Sequence, residues 1–156
     1  IEGFGSAGGL VPTSEPGGNV TLGARAMQGA LRGAGRLQGE VDWILAHGSG
    51  LPRGDAVEVE AIRRVFGPAA ANPRVSSVKG AIGHTLGASG ALSAAIAVMA
   101  LTESSIPPTS GLTDPDPQFD LDFVVSRPGL GALGVVVVNS FSTLGQHASL
   151  VLTRAS

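Results

Sequence analysis

The 156 residues include no cysteine, no tyrosine, one tryptophan and a single lysine, Lys79. Without cysteine there is no disulfide framework and no thiolate metal site, and any thiol nucleophile must come from another segment or chain. Charge is also scarce: Asp, Glu, Lys and Arg make up 14% of the residues and the net charge is -2. Phosphate binding needs a concentrated basic face, which one Lys and scattered Arg do not make, so no nucleic-acid partner is expected. What is present is 43% hydrophobic residues with only 4% aromatics, enough for one globular domain or one half of a larger one. Glycine (24 residues) and alanine dominate, and both favour close approach of backbones over bulky cores. No signal-peptide pattern is visible, although residue 1 is Ile, and a cytoplasmic protein is the default expectation.

Along the chain, strand and helix patterns alternate. Ile1 to Gly5 reads as the end of a strand, and residues 6–18 as a Gly/Pro/Ser loop. Val20, Leu22, Ala24, Met27, Ala30, Leu31 and Ala34 predict an amphipathic helix capped by Asn19 or Thr21 and closed by Gly35. Val41 to Ala46 predicts a short strand followed by the loop His47-Gly48-Ser49-Gly50-Leu51-Pro52. Asp55 to Phe66 predicts a helix with a capping-box-like start at Asp55 and Glu58 and an end at Gly67-Pro68. Val75 to Val78 is a short strand, and a long helix is expected from Gly83 or His84 to about Leu101. Residues 106–109 read as extended, 113–117 as a turn and Leu121 to Val125 as an edge strand. Val135 to Val138 suits a buried strand and Ala148 to Thr153 a last one, which together predict an α/β layered fold with a mixed sheet.

The stretch from residue 84 to 101 leaves almost no polar face, and a helix apolar all round requires burial on all sides. It has the length of a membrane span, for which roughly 20 apolar residues suffice. His84, Thr85, Ser89 and Ser93 and the poorly hydrophobic Ala content argue against that, so no membrane span is expected. One small sheet covers only one side of such a helix. The chain is therefore expected to pack against a second half.

Candidate chemistry gathers by topology. His47 follows one strand, Lys79 follows another, His84 opens the long helix, and Asn139-Ser140-Phe141 follows a third strand. Parallel strands bring such segments to one carboxyl edge of the sheet, where α/β sites form. Each residue also has a plain reading: His47 as a loop or core histidine, Glu58 as a helix cap, Lys79 as a solvated lysine, Gly83 and Gly87 as packing glycines, His147 as structural. Residues 3–8 fit a dinucleotide fingerprint only superficially, because Pro12 interrupts the required helix. A hydrolase using Ser49 lacks the G-x-S-x-G elbow.

Taken together, the segments resemble the β-ketoacyl synthases. His47-Gly48-Ser49-Gly50 with Gly54-Asp55-x-x-Glu58 is similar to that family's HGT-x-T-x-x-GD-x-x-E block, and Lys79-x-x-x-Gly83-His84-x-x-Gly87-Ala88-x-Gly90 to its K-x-x-x-GH-x-x-GA-x-G block. Pro107-Pro108-Thr109, Asp114-Pro115-Asp116 and Asp120-Leu121-Asp122-Phe123-Val124 also have counterparts, and Asn139-Ser140-Phe141 resembles the start of the NSFGFGG loop. The resemblance covers nearly the whole chain. It departs after Phe141, where Ser142-Thr143-Leu144-Gly145-Gln146-His147 replaces GFGGTN and the gating Phe is missing at Thr143, and at Leu51, which replaces a Thr.

The resemblance implies a thiolase-like layered fold of two similar halves, a mixed sheet with a buried central helix, of which residues 1–156 form the C-terminal half-domain. The nucleophilic Cys would lie in the N-terminal half, which fits both the absence of Cys and a chain that opens inside a strand, and this half would not be catalytically competent alone. The implied activity is Claisen condensation of acyl and malonyl thioesters as an acyltransferase, with no resident cofactor. The substrates ride on the phosphopantetheine of an acyl carrier protein, and the units pair as homo- or heterodimers. His47 and His84 would donate hydrogen bonds to the malonyl thioester oxygen, with Lys79 and Glu58 fixing their tautomers and orientation. Ser49, Leu51, Phe141, Ser142 and Thr143 would contact substrate or pantetheine, with a weaker grip at Leu51. The alternative is a non-catalytic chain-length-factor-like subunit, against which the presence of both histidines argues.

Overall fold

Asn19 opens the first helix, α1 (Val20–Ala34): its side chain accepts the N–H groups of Thr21 and Leu22 at 2.9 and 3.2 Å, and Gly35, at φ 63, closes it in the left-handed conformation. The computed structural model describes residues 1–10, 19–67 and 73–154, so most of the expected 6–18 loop and the Pro68 end of the second helix lie outside the described residues. The strand before α1, β1 (Gly3–Gly8), runs three residues beyond the expected Gly5. Its glycines let α1 lie directly on it. A Cβ on Gly5 would sit 2.1 Å from the Ala26 carbonyl oxygen.

β2 (Trp43–Leu45) leads to the second helix, α2 (Pro52–Phe66). α2 starts three residues before the expected Asp55, because Pro52 supplies a helix-ready φ at the first turn. The expected capping box at Asp55 and Glu58 therefore does not form, and Glu58 is free for other partners. β3 (Arg74–Ser76) is followed by a single helical turn, α3 (Lys79–Ile82). The long helix expected from Gly83 or His84 starts later: Gly83 takes φ 76, His84 sits in a loop, Leu86, at φ 51, opens a 3-10 turn to Ala88, and α4 (Ser89–Glu103) follows. β4 (Ser105–Ile106) pairs with β5 (Gly129–Leu130), and β6 (Val135–Phe141) and β7 (Gln146–Thr153) complete the chain.

The main sheet has the order β1-β7-β6-β2-β3. β2 is parallel to β3 and β6, while β7 is antiparallel to both β6 and β1, so the sheet is mixed. The expected edge strand at 121–125 reduces to one parallel bridge, Phe123 to Val75, because only Asp122 and Val124 bond to the β3 edge.

Alternate side chains of the strands serve opposite layers. Ile44, Val137 and Val151 pack with Met27 and Leu31 of α1 and Ile62 and Val65 of α2. Trp43, Leu45, Val136, Val138 and Leu152 pack with Ala97, Ala100 and Leu101 of α4. The chain is thus an α/β layered unit: two helices, the sheet, then α4. Within it α4 is covered on one side only. Leu92, Val98 and Met99, on its far side, are 40%, 53% and 60% exposed. By length and composition the stretch Leu86–Glu103 could cross a membrane, while its Ser89 and Ser93 belong to the buried stripe on the sheet side.

Candidate functional site

Because β2, β3 and β6 are parallel, their carboxyl ends meet at one edge of the sheet and deliver His47, Ser77, Lys79 and Asn139 to Phe141 together. The turn after β2 is shaped by Gly48, which adopts φ 43 and approaches Ser77 so closely that a Cβ there would lie 2.5 Å from the Ser77 Cβ. In this conformation two successive N–H groups point the same way. Glu58, fully enclosed on α2, receives both: His47 N–H on Oε1 and Gly48 N–H on Oε2, each at 2.8 Å. The Lys79 ammonium donates to the His47 carbonyl oxygen, and the Ser77 hydroxyl to that of Gly48 at 3.2 Å.

This corrects one expectation. Glu58 and Lys79 do not reach the imidazoles to set their tautomers; they fasten the main chain of His47, because the turn presents its amides and carbonyl to them first. The His47 ring keeps a buried Nδ1 without a partner. For His84 the tautomer is set by its own loop: Nδ1 accepts the Leu86 N–H at 3.1 Å, which leaves Nε2 to carry the proton of the neutral ring. The two rings meet edge to face with centroids 5.3 Å apart. Phe141 lies nearly parallel to His47 at 6.5 Å and meets His147 edge to face at 4.7 Å.

Electrostatics favour an uncharged His47. Burial, with smaller contributions from the Lys79, His84 and His147 charges, pushes its pKa down to about 3. Burial also lowers Lys79, opposed by Glu58 and Asp55, and lowers His147. It raises Glu58, opposed by the Gly48, His47 and Asn139 hydrogen bonds, and raises Asp55, opposed first by the Ser49 hydroxyl, which donates to it at 3.2 Å.

A cleft of ≈ 870 Å³ is lined by His47 and His84 and by all five residues expected to contact substrate: Ser49, Leu51, Phe141, Ser142 and Thr143. Glu58 and Lys79 line a second cavity of ≈ 500 Å³ behind the His47 turn, and His84 and Ser49 border both spaces. Ser142 to Gly145 forms a tight turn, with Ser142 N–H donating to the Gln146 carbonyl at 2.8 Å and Leu144 N–H to the Ser142 hydroxyl at 3.0 Å. Among the described residues no cluster of three or more His, Asp or Glu side chains is placed to hold a metal ion.

Sequence reasoning brought Asn139 to the site edge without a role and missed Ser149, the two of which anchor Glu58 from the sheet, and Ser77, which holds the Gly48 turn. A signal was there: Asn139 and Ser149 are polar residues at core-facing positions of otherwise apolar strands.

Comparison with known proteins agrees with this architecture. The profile of the beta-ketoacyl synthase C-terminal domain matches residues 1–113. The 3-oxoacyl-(acyl-carrier-protein) synthase 2 of Coxiella burnetii is 39% identical over 154 residues, covering 99% of this chain and 37% of that protein. A Staphylococcus aureus protein of the same name is 36% identical over the same length, also covering 99% of this chain and 37% of its own. This chain thus spans little more than a third of the curated relatives it matches. Among solved structures, a beta-ketoacyl synthase from Burkholderia phymatum superposes with a TM-score of 0.91 at 32% identity, covering 100% of this chain and 37% of that one. The ishigamide ketosynthase/chain length factor superposes equally well, at TM-score 0.91 and 34% identity over 100% of this chain and 38% of that one. The thiolase-like α/β layering, the profile match and these relatives together assign the chain to the β-ketoacyl synthase family, where it corresponds to the C-terminal domain.

Proposed function

We propose that this chain supplies the malonyl-decarboxylation site of a β-ketoacyl synthase. The observation that carries the reading is the convergence of His47 and His84 in one cleft, their rings 5.3 Å apart, one tautomer set by the Leu86 amide and the other ring held neutral by burial. In this reading an acyl group is first held as a thioester on a Cys of an N-terminal half. Malonyl on an acyl carrier protein then loses CO₂. The electron pair of the broken C–C bond moves into the thioester, and charge builds on its oxygen. Two neutral imidazoles each offer an N–H to that oxygen, and removing one such donor costs on the order of 10²-fold or more in rate. The enolate carbon attacks the acyl thioester and the Cys thiolate leaves. Glu58 and Lys79 act on the His47 main chain, so their part is to fix where the first imidazole stands.

The N-terminal half is supported by α4, whose Leu92, Val98 and Met99 present apolar surface with no cover in this chain. A second half packed on this face would bury α4 between two sheets and bring its Cys toward the cleft. Ser49 and Leu51 at the mouth would meet the pantetheine arm, and Phe141, Ser142 and Thr143 the substrate. The experiment that tests the reading measures CO₂ release from carrier-bound malonyl by the full-length protein separately from acyl transfer to its Cys. A full-length protein with no Cys upstream and no CO₂ release would make the chain-length-factor-like subunit the better description.

A further inference from the structure

Asn139 ends a run of four valines in β6, and it faces Ser149 directly across the ladder with β7. Both side chains are 1% exposed, in strand positions that otherwise carry Val137 and Val151. Burying two polar groups there is unfavourable unless each finds a partner. They do, and the bonding has a direction. The Glu58 carboxylate only accepts, so it takes the nitrogen end of the Asn139 amide, and Oδ1 is left to accept the Ser149 hydroxyl at 2.8 Å. Nδ2 donates to Oε1 at 3.0 Å, with the Met27 sulfur its other neighbour at 3.5 Å. Reversed, the amide would set a carbonyl against a carboxylate.

We propose that Asn139 and Ser149 are positioning residues for decarboxylation: Ser149 orients Asn139, Asn139 holds the Glu58 carboxylate, and Glu58 holds the His47-Gly48 turn that aims the first imidazole. The inference rests on the function proposed above. Three N–H donors, from His47, Gly48 and Asn139, converge on Glu58. Without the amide the carboxylate has an alternative, since it already attracts the Lys79 ammonium. Swinging toward that cation would release the two turn amides without unfolding the domain.

The test uses the full-length protein with Asn139→Asp and Ser149→Ala and two independent readouts. One is the rate of CO₂ release from carrier-bound malonyl. The other is hydrogen exchange at the His47 and Gly48 amides, which needs no activity. Asn139→Asp sets a second carboxylate against Glu58. We expect kcat to fall by about 10- to 100-fold near pH 8, as for loss of other groups that orient a catalytic ligand, with KM changed by less than about twofold. Exchange at both amides should quicken. Part of the rate should return near pH 6, because two facing carboxyls come to share a proton and regain a donor. The other titratable groups acting on Glu58 are Asp55 and Lys79, since His47 meets it only through its main-chain N–H, and their contribution is read from the parent's own pH profile. A purely structural pair would lower the melting temperature without moving kcat or its pH profile. Ser149→Ala should show the same pattern more weakly, and it decides the matter if Asn139→Asp does not fold. Parent kcat together with parent exchange in the folded variants overturns the proposal. If the parent itself releases no CO₂, the functional reading fails, and exchange at His47 and Gly48 still decides whether these residues hold the turn.

Discussion

His84 meets His47 edge to face, with ring centroids 5.3 Å apart and planes at 77°, although 36 positions separate them along the chain. The parallel pairing of β2 with β3 brings the His47 turn beside the Lys79 turn, and the break at Gly83 then lets His84 fold back toward His47 rather than continue a helix.

His47 should remain neutral far into the acid range. Its pKa is pushed down to about 3, so a ¹⁵N NMR titration of the imidazole should show no protonation between about pH 7 and pH 4, where an exposed histidine titrates near 6.5. In that window the unfolded chain binds more protons than the native one, so stability falls as pH drops, and buried His147 adds in the same direction. Protonation of His47 near pH 6.5 would contradict the burial described here.

Glu58→Gln replaces an acceptor that serves three N–H groups with a side chain whose amide nitrogen opposes them. Decarboxylation should fall by about 10- to 100-fold while acyl loading persists. Lys79→Ala should slow decarboxylation less than loss of either histidine, because its ammonium bonds the His47 carbonyl rather than the substrate oxygen. Steady-state kinetics of both variants, with acyl loading followed separately, checks this.

The two methionines report on the uncovered face of α4. Met27 is fully buried and Met99 is 60% exposed in this chain. In the full-length protein, mild peroxide should oxidise Met99 as slowly as Met27, because the proposed second half would cover it. Rapid oxidation of Met99 there, read by mass spectrometry, would mean that nothing packs on this face.

Gly5→Ala should destabilise the domain by about 1–3 kcal/mol or more, since the new methyl would press on α1 backbone 2.1 Å away. Gly39→Ala, with open space around it, is the control and should leave thermal unfolding unchanged.

Much of this was legible in the sequence because apolar periodicity is local. The runs at 41–46, 75–78 and 135–138 mark the three parallel strands, and the residues just after each run are those at the site. What escaped depends on contacts that periodicity does not encode. Glu58 resembles a helix cap until Pro52 is seen to start the helix earlier, which frees its carboxylate for the His47 turn. Residues 84–101 read as one helix because the positive φ at Leu86, which delays α4 to Ser89, leaves no mark in hydropathy. The pairing of Asn139 with Ser149 is a matter of strand register, and register is set by the whole hairpin.

In the proposed function His47 and His84 share one task, stabilising charge on the malonyl thioester oxygen. CO₂ release from carrier-bound malonyl, measured for His47→Ala and His84→Ala in the full-length protein alongside labelled acyl transfer to the Cys, tests it most directly. Each substitution should abolish decarboxylation, or lower it by at least about 10²-fold, while acyl transfer survives in at least one of them. Decarboxylation at the parent rate in both variants would contradict it.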